Sequence, residues 1–274
     1  MTRSAIISAD DFGMSIEVNE AIEEAHRKGI LSTASLMVAG DAASDAIRRA
    51  KKNPTLNVGL HVVAIEAKSV LDLPTITDTQ GWFGRDQLTL GIKYFFNSRA
   101  RNAIGREIEA QYRSFMRSGL TLDHANAHKH MHLHPVVGHF LIKSGKNHGL
   151  KAVRSPLEPP QPLHAKDNLG DLTLRYWIQV LRSQISRARL KTNDWCFGLR
   201  WSGHMTKERI HSLIPRLPDG VSEIYFHPAT SQNEMMKHFM PDYNQTGELE
   251  ALLDLNIRNA LSQNNINPIG WANL

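Results

Sequence analysis

The chain lacks the features of a disulfide-bonded or membrane-spanning protein. Its 274 residues include one cysteine, Cys196, which excludes an internal disulfide and a zinc site made of several cysteines. No apolar run reaches the roughly 18 residues that a spanning helix needs, and the segment from Met1 to Asp11 turns acidic too early for a signal peptide. We therefore expect a cytoplasmic protein, with peripheral contact with the inner membrane as an open alternative.

The composition is that of a globular protein. Apolar residues make up 41% of the chain and charged residues 22%, values that exclude collagen, coiled coil and general disorder. The net charge of +5 is too small to indicate nucleic-acid binding, and no such motif accompanies it. A single domain over residues 1–274 is predicted, because barrels of this size usually form one unit.

Short apolar runs alternate with helical patterns along the chain, which indicates β/α units around a parallel sheet. Helices are predicted after Ser15, after Asp41, near 99–118, after Pro135, near 170–190, after Thr206 and near 246–262. Strands are predicted at 5–8, 35–38, 57–61, up to about 128, 152–154, around Cys196, 224–227 and 266–269. The fold class is thus α/β, a (β/α) barrel-like fold with seven or eight mostly parallel strands, distorted or incomplete. Residues 64–98 are too long for an ordinary connection and are interpreted as a lid or substrate loop.

Reactive side chains follow several of these strands. Barrel enzymes carry their chemistry at the carboxyl ends of the strands, where the loops converge. If residues 128–132 are extended, three alternate imidazoles share one side of the segment. The residues expected at this edge are Asp10, Asp11, His61, His128, His130, His132, Arg154 and His227.

One aspartate and two histidines from separate strands would give a divalent metal three ligands and leave a position for water. This arrangement is found both in catalytic zinc sites and in facial-triad iron sites. Because no oxygenase cofactor motif is present, hydrolysis is the first hypothesis: the other aspartate would take a proton from water, and His227 would donate one to the leaving group. A first strand ending in two aspartates, without a His-x-His pair, argues against amidohydrolases and many barrel phosphoesterases.

Four sequence blocks together resemble the YdjC-like carbohydrate deacetylases. They are residues 8–15, 59–61, 126–135 and 223–228. The resemblance implies a (β/α) barrel-like fold and removal of acetyl groups from N-acetylated sugars with one divalent metal ion. Zinc is the first expectation for that ion, with magnesium, nickel and cobalt as alternatives.

The resemblance also implies roles for single residues. Asp11, His61 and His128 match the metal ligands, Asp10 the general base and His227 the general acid. The residues expected to contact substrate or support the ligands are Asn126, His130, His132, Arg154 and Glu158. Many relatives have Asp where this chain has Asn126, so the support of the ligands at that position is an open question.

Further blocks are similar to the subgroup associated with hopanoid biosynthesis: residues 126–130, 153–160, 201–203 and 226–230. That similarity implies an N-acetylglucosaminyl bacteriohopanetetrol lipid as the substrate. Deacetylation of soluble chitooligosaccharides and a non-catalytic sugar- or metal-binding barrel stay open as alternatives, as does a homodimer.

A lipid-linked sugar would have to be taken from a membrane. Aromatic and basic residues lie together at 93–101 and along the predicted helix at 174–189, a composition that suits a headgroup layer. We therefore keep transient membrane contact as a hypothesis, although inward packing of an ordinary outer helix is the more common explanation.

Overall fold

The computed structural model describes residues 3–274. Seven strands in this part of the chain form one sheet in which every paired neighbour is parallel. The strands are β1 (Arg3–Phe12), β2 (Thr33–Leu36), β3 (Asn57–Val62), β4 (Leu122–Ala127), β5 (Trp195–Phe197), β6 (Gly220–Phe226) and β7 (Ile266–Pro268).

Helices surround the sheet. They are α1 (Ile16–Lys28), α2 (Ala43–Lys52), α3 (Gln87–Phe96), α4 (Ser98–Arg117), α5 (Pro135–Asn147), α6 (Leu169–Arg187), α7 (Lys207–Leu213), α8 (Glu234–Phe239), α9 (Gln245–Leu253) and α10 (Leu255–Gln263). Within residues 3–274, no helix combines the length and the apolarity that crossing a bilayer requires.

The sheet runs β4-β3-β2-β1-β6-β5, and β7 pairs with the first residues of β1. Between the edge strands β4 and β5, an irregular segment makes a bridge from Val153 to Ala125. The same segment accepts a hydrogen bond at the Leu157 carbonyl from the Cys196 N–H, at 2.9 Å. The sheet therefore curls into a barrel-like shape, which confirms the predicted fold class.

The predicted strands correspond to the observed ones, with two corrections. β1 continues to Phe12, so Asp10 and Asp11 lie within the strand and do not follow it. Residues 152–154 make isolated bridges only, because the chain there spans the gap between two edges.

The helix predictions hold at α1, where the Ser15 hydroxyl accepts from the Val18 N–H at 3.3 Å and Gly29 ends the helix. The single helix expected at 246–262 is wrong, because Asp254 adopts an extended backbone between α9 and α10. Asp41 does not cap α2 either; its carboxylate pairs with Lys68 at 2.8 Å.

The histidine run is not extended. Residues His128–Leu133 form a 3-10 turn in which Lys129 (φ 49°) and His130 (φ 52°) have left-handed backbones. The prediction that three imidazoles share one face by strand alternation is therefore wrong.

Residues 64–98 form an ordered cover beside the carboxyl ends of the strands. Antiparallel bridges join Lys68 to Trp82 and Thr77 to Phe83, and α3 follows. The buried Glu107 carboxylate on α4 accepts from the Val70 and Leu71 N–H groups at 2.8 and 2.9 Å. Action of this segment as a lid stays a prediction.

Candidate active site

A bulge at the end of β1 brings two adjacent aspartates into one cavity. Successive strand residues normally point to opposite faces, but the pairing of β1 with β2 shifts register between Ala9 and Phe12. Asp11 has a left-handed backbone with φ 63°, a conformation that a buried non-glycine residue keeps only where its surroundings enforce it. As a result, Asp10 and Asp11 line the same cavity.

Three potential ligand atoms converge beside this bulge. The Asp11 Oδ1 atom lies 3.3 Å from the His61 Nε2 atom and 3.1 Å from the His128 Nδ1 atom. The two imidazole nitrogens are 3.4 Å apart. All three side chains are buried.

These residues fit a divalent ion. Ligand atoms bound tetrahedrally to zinc at about 2.1 Å lie roughly 3.4 Å from one another, close to the observed separations. The buried Asp11 Oδ2 atom also has no hydrogen-bond partner within residues 3–274. A buried carboxylate oxygen without a partner is costly unless a cation compensates it.

Asn126 fixes the proton on His61. Its amide nitrogen donates to the Asp10 Oδ1 atom at 3.0 Å, and a carboxylate can only accept. The amide oxygen therefore faces the His61 Nδ1 atom, at 2.7 Å, and accepts a hydrogen bond from the Nδ1–H group. The lone pair of the His61 Nε2 atom is left pointing to the ligand cluster.

Asp10 belongs to a buried ion network. The Arg154 guanidinium donates to the Asp10 Oδ2 atom at 2.5 Å and to the Oδ1 atom at 3.0 Å. It also donates to both Glu223 oxygens, at 2.8 and 2.6 Å, and the Ser8 hydroxyl donates to Glu223 at 2.6 Å. Arg154 and Glu223 are wholly buried, so this network lies beneath the cavity and fixes the position of Asp10.

The electrostatics keep both aspartates ionised. Burial opposes the charge of Asp10, but the Arg154 guanidinium outweighs it and holds the pKa of Asp10 well below its usual range. Burial likewise opposes the charge of Asp11, and the neighbouring His128 and His61 imidazoles hold the pKa of Asp11 low. A carboxylate at each position is therefore the stable form at neutral pH.

The other two histidines of the turn face in different directions. The His130 Nε2 atom lies 3.0 Å from the Tyr225 hydroxyl, and His130 lines the cavity. The His132 Nε2–H group donates to the Arg154 carbonyl at 3.1 Å. Burial and the neighbouring cations lower the pKa of both imidazoles, that of His132 to about 3.

His227 stands across the cavity between two aromatic rings. Its ring centroid lies 5.6 Å from that of Tyr225 and 5.2 Å from that of Tyr243. Its backbone N–H donates to the buried Glu248 carboxylate, while the His227 Nδ1 atom has no protein partner within residues 3–274. The imidazole is thus held by packing and by its backbone, with its nitrogens available to a ligand.

Glu158 supports a loop at the edge of the site. Its carboxylate accepts from the N–H groups of Gly198, Leu199 and Arg200 at 2.9 to 3.0 Å. Burial raises the pKa of Glu158 despite these hydrogen bonds. Of these residues, Leu199 lines the cavity. Glu158 therefore affects the site indirectly, by holding the loop that carries Leu199.

The cavity itself is small, about 110 Å³. Clefts that enclose a whole drug-sized ligand measure about 300–1,000 Å³, so this one suits the reacting end of a larger molecule. Its lining residues are Asp10, Asp11, His61, Ala127, His128, Lys129, His130, Leu199, Ser202, Tyr225, His227, Met240 and Tyr243.

Sequence reasoning missed part of the site. Ser8 alternates with Asp10 on β1, and Glu223 and Tyr225 alternate with His227 on and after β6, so strand periodicity was an available signal for them. Tyr243 comes from an irregular segment, and no local sequence pattern places it near the cavity.

Comparison with known proteins identifies the family. Residues 4–263 match the model of the YdjC-like protein family, and the chain belongs to that family. A carbohydrate deacetylase of Brevibacillus brevis is 28% identical over 271 residues, 98% of both chains. A carbohydrate deacetylase of Geobacillus stearothermophilus is 32% identical over 231 residues, which are 84% of this chain and 80% of the relative.

Solved structures support the fold. A candidate cellobiose-phosphate cleavage protein of Enterococcus faecalis aligns over 100% of this chain and 99% of its own, with a TM-score of 0.77 at 21% identity. The lactam utilization protein of Thermus thermophilus aligns over 97% of this chain and 99% of its own, with a TM-score of 0.52 at 12% identity. At these identities the likeness concerns the fold alone.

His132 makes stability depend on pH. Its pKa is about 3 in the folded protein and about 6.5 in the unfolded chain, so between these values only the unfolded state binds the proton. The free energy of unfolding should therefore fall as the pH drops from about 6.5 towards 3, and be fully regained above that range. Urea unfolding across this range, with a chelator present, measures it.

The His132→Gln variant should show a shallower pH dependence than the wild type. His139→Gln is the matched control, because His139 is exposed on α5, and it should keep the wild-type slope. An unchanged slope in His132→Gln would contradict the assignment.

Proposed function

We propose that this protein is a metal-dependent deacetylase of N-acetylated sugars. The observation that carries the proposal is the convergence of Asp11, His61 and His128 on one point, with Asp10 and His227 in the same cavity. The activity named for the curated relatives from Brevibacillus brevis and Geobacillus stearothermophilus supports the same class.

Asp11, His61 and His128 would hold the ion, with zinc as the first expectation. A divalent ion in such a site polarises a carbonyl group and lowers the pKa of water. His61 is oriented for this task by Asn126, which keeps the proton on the Nδ1 atom. Asp11 contributes the charge that an ion needs, since its Oδ2 atom has no other partner among the described residues.

Asp10 would act as the general base. In deacetylation, water attacks the acetyl carbon, the bond from that carbon to nitrogen breaks, and acetate and an amine form. Among the described residues, the Asp10 Oδ2 atom accepts one hydrogen bond, from Arg154, so a lone pair remains for the proton of the attacking water. Arg154 and Asn126 fix the direction of that lone pair.

His227 would act as the general acid. The amine cannot leave as an anion near neutral pH, so it needs a proton as the bond breaks. The His227 imidazole lies in the cavity with Asp10, and its packing between Tyr225 and Tyr243 limits its rotation. Transfer of a proton from His227 to the nitrogen completes the reaction.

For the substrate we propose an N-acetylglucosaminyl lipid, the N-acetylglucosaminyl bacteriohopanetetrol of hopanoid biosynthesis. Its support is the similarity of residues 126–130, 153–160, 201–203 and 226–230 to that subgroup. A cavity of about 110 Å³ would accept the acetamide end and leave the rest of the molecule at the rim. Soluble chitooligosaccharides are the alternative substrate.

Asn126→Ala should weaken metal binding. Loss of the acceptor for the His61 Nδ1–H group releases the ring, and changes of this kind typically cost about 10- to 100-fold in metal affinity. Titration calorimetry with zinc or cobalt on the metal-free protein measures the change. Ser35→Ala is the matched control, because the Ser35 hydroxyl also contacts the Asn126 amide, at 3.0 Å, but it bonds none of the three ligands. Equal affinities in the two variants would refute this role of Asn126.

Asp10→Asn should separate catalysis from binding. An amide cannot take the proton of water, so acetate release should fall by about 10²- to 10⁴-fold. Metal content, measured by mass spectrometry of the protein, should stay at the wild-type level. Full activity of the variant would exclude Asp10 as the base.

The substrate class is tested by offering two substrates side by side. N-acetylglucosaminyl hopanoid and diacetylchitobiose are each incubated with protein loaded with zinc, nickel or cobalt, and products are identified by mass spectrometry. We expect conversion of the lipid to its glucosaminyl form to exceed that of the sugar. Preference for diacetylchitobiose would select the soluble substrate, and acetate from neither, with metal still bound, would indicate a non-catalytic binding protein.

A further inference from the structure

Two helices expose apolar side chains at the edge of the barrel that carries the candidate site. On α3, Leu88 is 73% exposed and Phe96 is 78% exposed. On α6, Leu169 is 81% exposed, and Leu172 and Tyr176 are exposed at helical spacing behind it. Single exposed apolar residues are common, but two such stripes on helices that both pack against α5 mark an interaction surface.

The contacts of α3 place it at the site edge. The Gln87 side chain at its start donates to the carbonyl of Lys129 at 3.5 Å, and Lys129 lines the site cavity. The Tyr94 hydroxyl donates to the carbonyl of Ala64, which follows β3, at 2.9 Å. The start of α3, which carries Leu88, is therefore beside the site cavity.

The first half of α6 lies at the same edge. Asp171 pairs with Arg200 at 3.0 Å, and Arg200 follows β5. Arg182, further along the helix, donates to the carbonyl of Asp194, which precedes β5, at 2.5 Å. The helix thus runs away from the site edge, and its exposed residues from Leu169 to Tyr176 belong to the end nearest the site.

The surface around α3 is cationic. Residues 85–101 contain one carboxylate, Asp86, against four basic side chains: Arg85, Lys93, Arg99 and Arg101. A shallow surface depression at the end of α3 combines both characters, since Ile92 and Phe96 line it together with Lys93 and Arg99. Apolar side chains beside basic ones match the boundary between acyl chains and anionic headgroups.

We propose that α3 and the first half of α6 form a docking surface for an anionic lipid bilayer, with the candidate site facing the membrane. The docking surface rests on the proposed function and deepens it. Docking would let the protein reach a lipid-linked sugar while that lipid stays in the bilayer. A second copy of the chain is the less suitable occupant. In a two-fold dimer the same patch meets itself, which would bring the basic side chains of α3 against their own copies.

Co-sedimentation with vesicles tests the proposal. The full chain should pellet with vesicles that contain phosphatidylglycerol, bind phosphatidylcholine vesicles more weakly, and lose binding as salt is raised. The double variant Leu88→Ser with Phe96→Ser should lower partitioning about tenfold or more, because it removes two apolar side chains from the interface. Both positions are exposed, so the fold should be retained.

Leu255→Ser is the matched control. Leu255 is 62% exposed at the start of α10, and Arg258 in the same helix donates to the carbonyl of Gly29, after the end of α1, far from the site edge. This variant should pellet like the wild type. Absence of pelleting with anionic vesicles, or an equal loss in Leu255→Ser, would overturn the proposal. A concentration-dependent dimer in ultracentrifugation that the double variant abolishes would also overturn it and assign the surface to a second copy.

Failure of the docking surface and failure of the proposed function give different results. The double variant should keep the wild-type metal content, since neither changed residue lines the cavity that holds the candidate ligands. Wild-type protein that pellets with vesicles but releases no acetate from any substrate would refute the deacetylase and leave the docking surface supported.

Discussion

The site depends on one constraint: the buried carboxylates of Asp10, Asp11 and Glu223 carry more negative charge than the neighbouring protein cations balance. Asp10 and Glu223 share the guanidinium of Arg154, while within residues 3–274 the ion-pair partners of Asp11 are imidazoles alone. A buried carboxylate deprived of its partner typically costs about 3–5 kcal/mol. A further positive charge between Asp11, His61 and His128 would therefore stabilise the fold. Binding of a cation and stability of this edge of the sheet are linked.

Irregular backbone gives this edge its geometry. A regular strand would separate Asp10 from Asp11, and a regular turn would not aim His130 at Tyr225. Left-handed residues at Asp11, Lys129 and His130 make both arrangements, at a cost of about 1–3 kcal/mol each. Since all three positions lie at the cavity, strain and function coincide here. The regular sheet supplies the position of the site, and its irregular ends supply the directions of the side chains.

The sequence allowed the fold class and the gathering of the site residues to be predicted, because both follow from regular periodicity. Parallel strands end at one edge, so His61 and His128 had to approach Asp11 once the strands were recognised. The extended interpretation of residues 128–132 failed because it applied strand alternation where the backbone is left-handed. The break at Asp254 was missed because an apolar pattern continues across it. Burial of Glu223 against Arg154 is a long-range ion pair, which no local pattern encodes.

Asn126 connects Asp10, the proposed general base, with His61, a proposed metal ligand. Its amide has one donating and one accepting side, and it uses the first on Asp10 and the second on His61. An aspartate at this position would place a second carboxylate 3.0 Å from the Asp10 oxygen, and the repulsion would raise the pKa of one of them. An asparagine orients the His61 ring without that repulsion. With asparagine at this position, the pKa of Asp10 is held low chiefly by Arg154, with smaller contributions from His61 and His227. The position of the His61 imidazole is held by a neutral group.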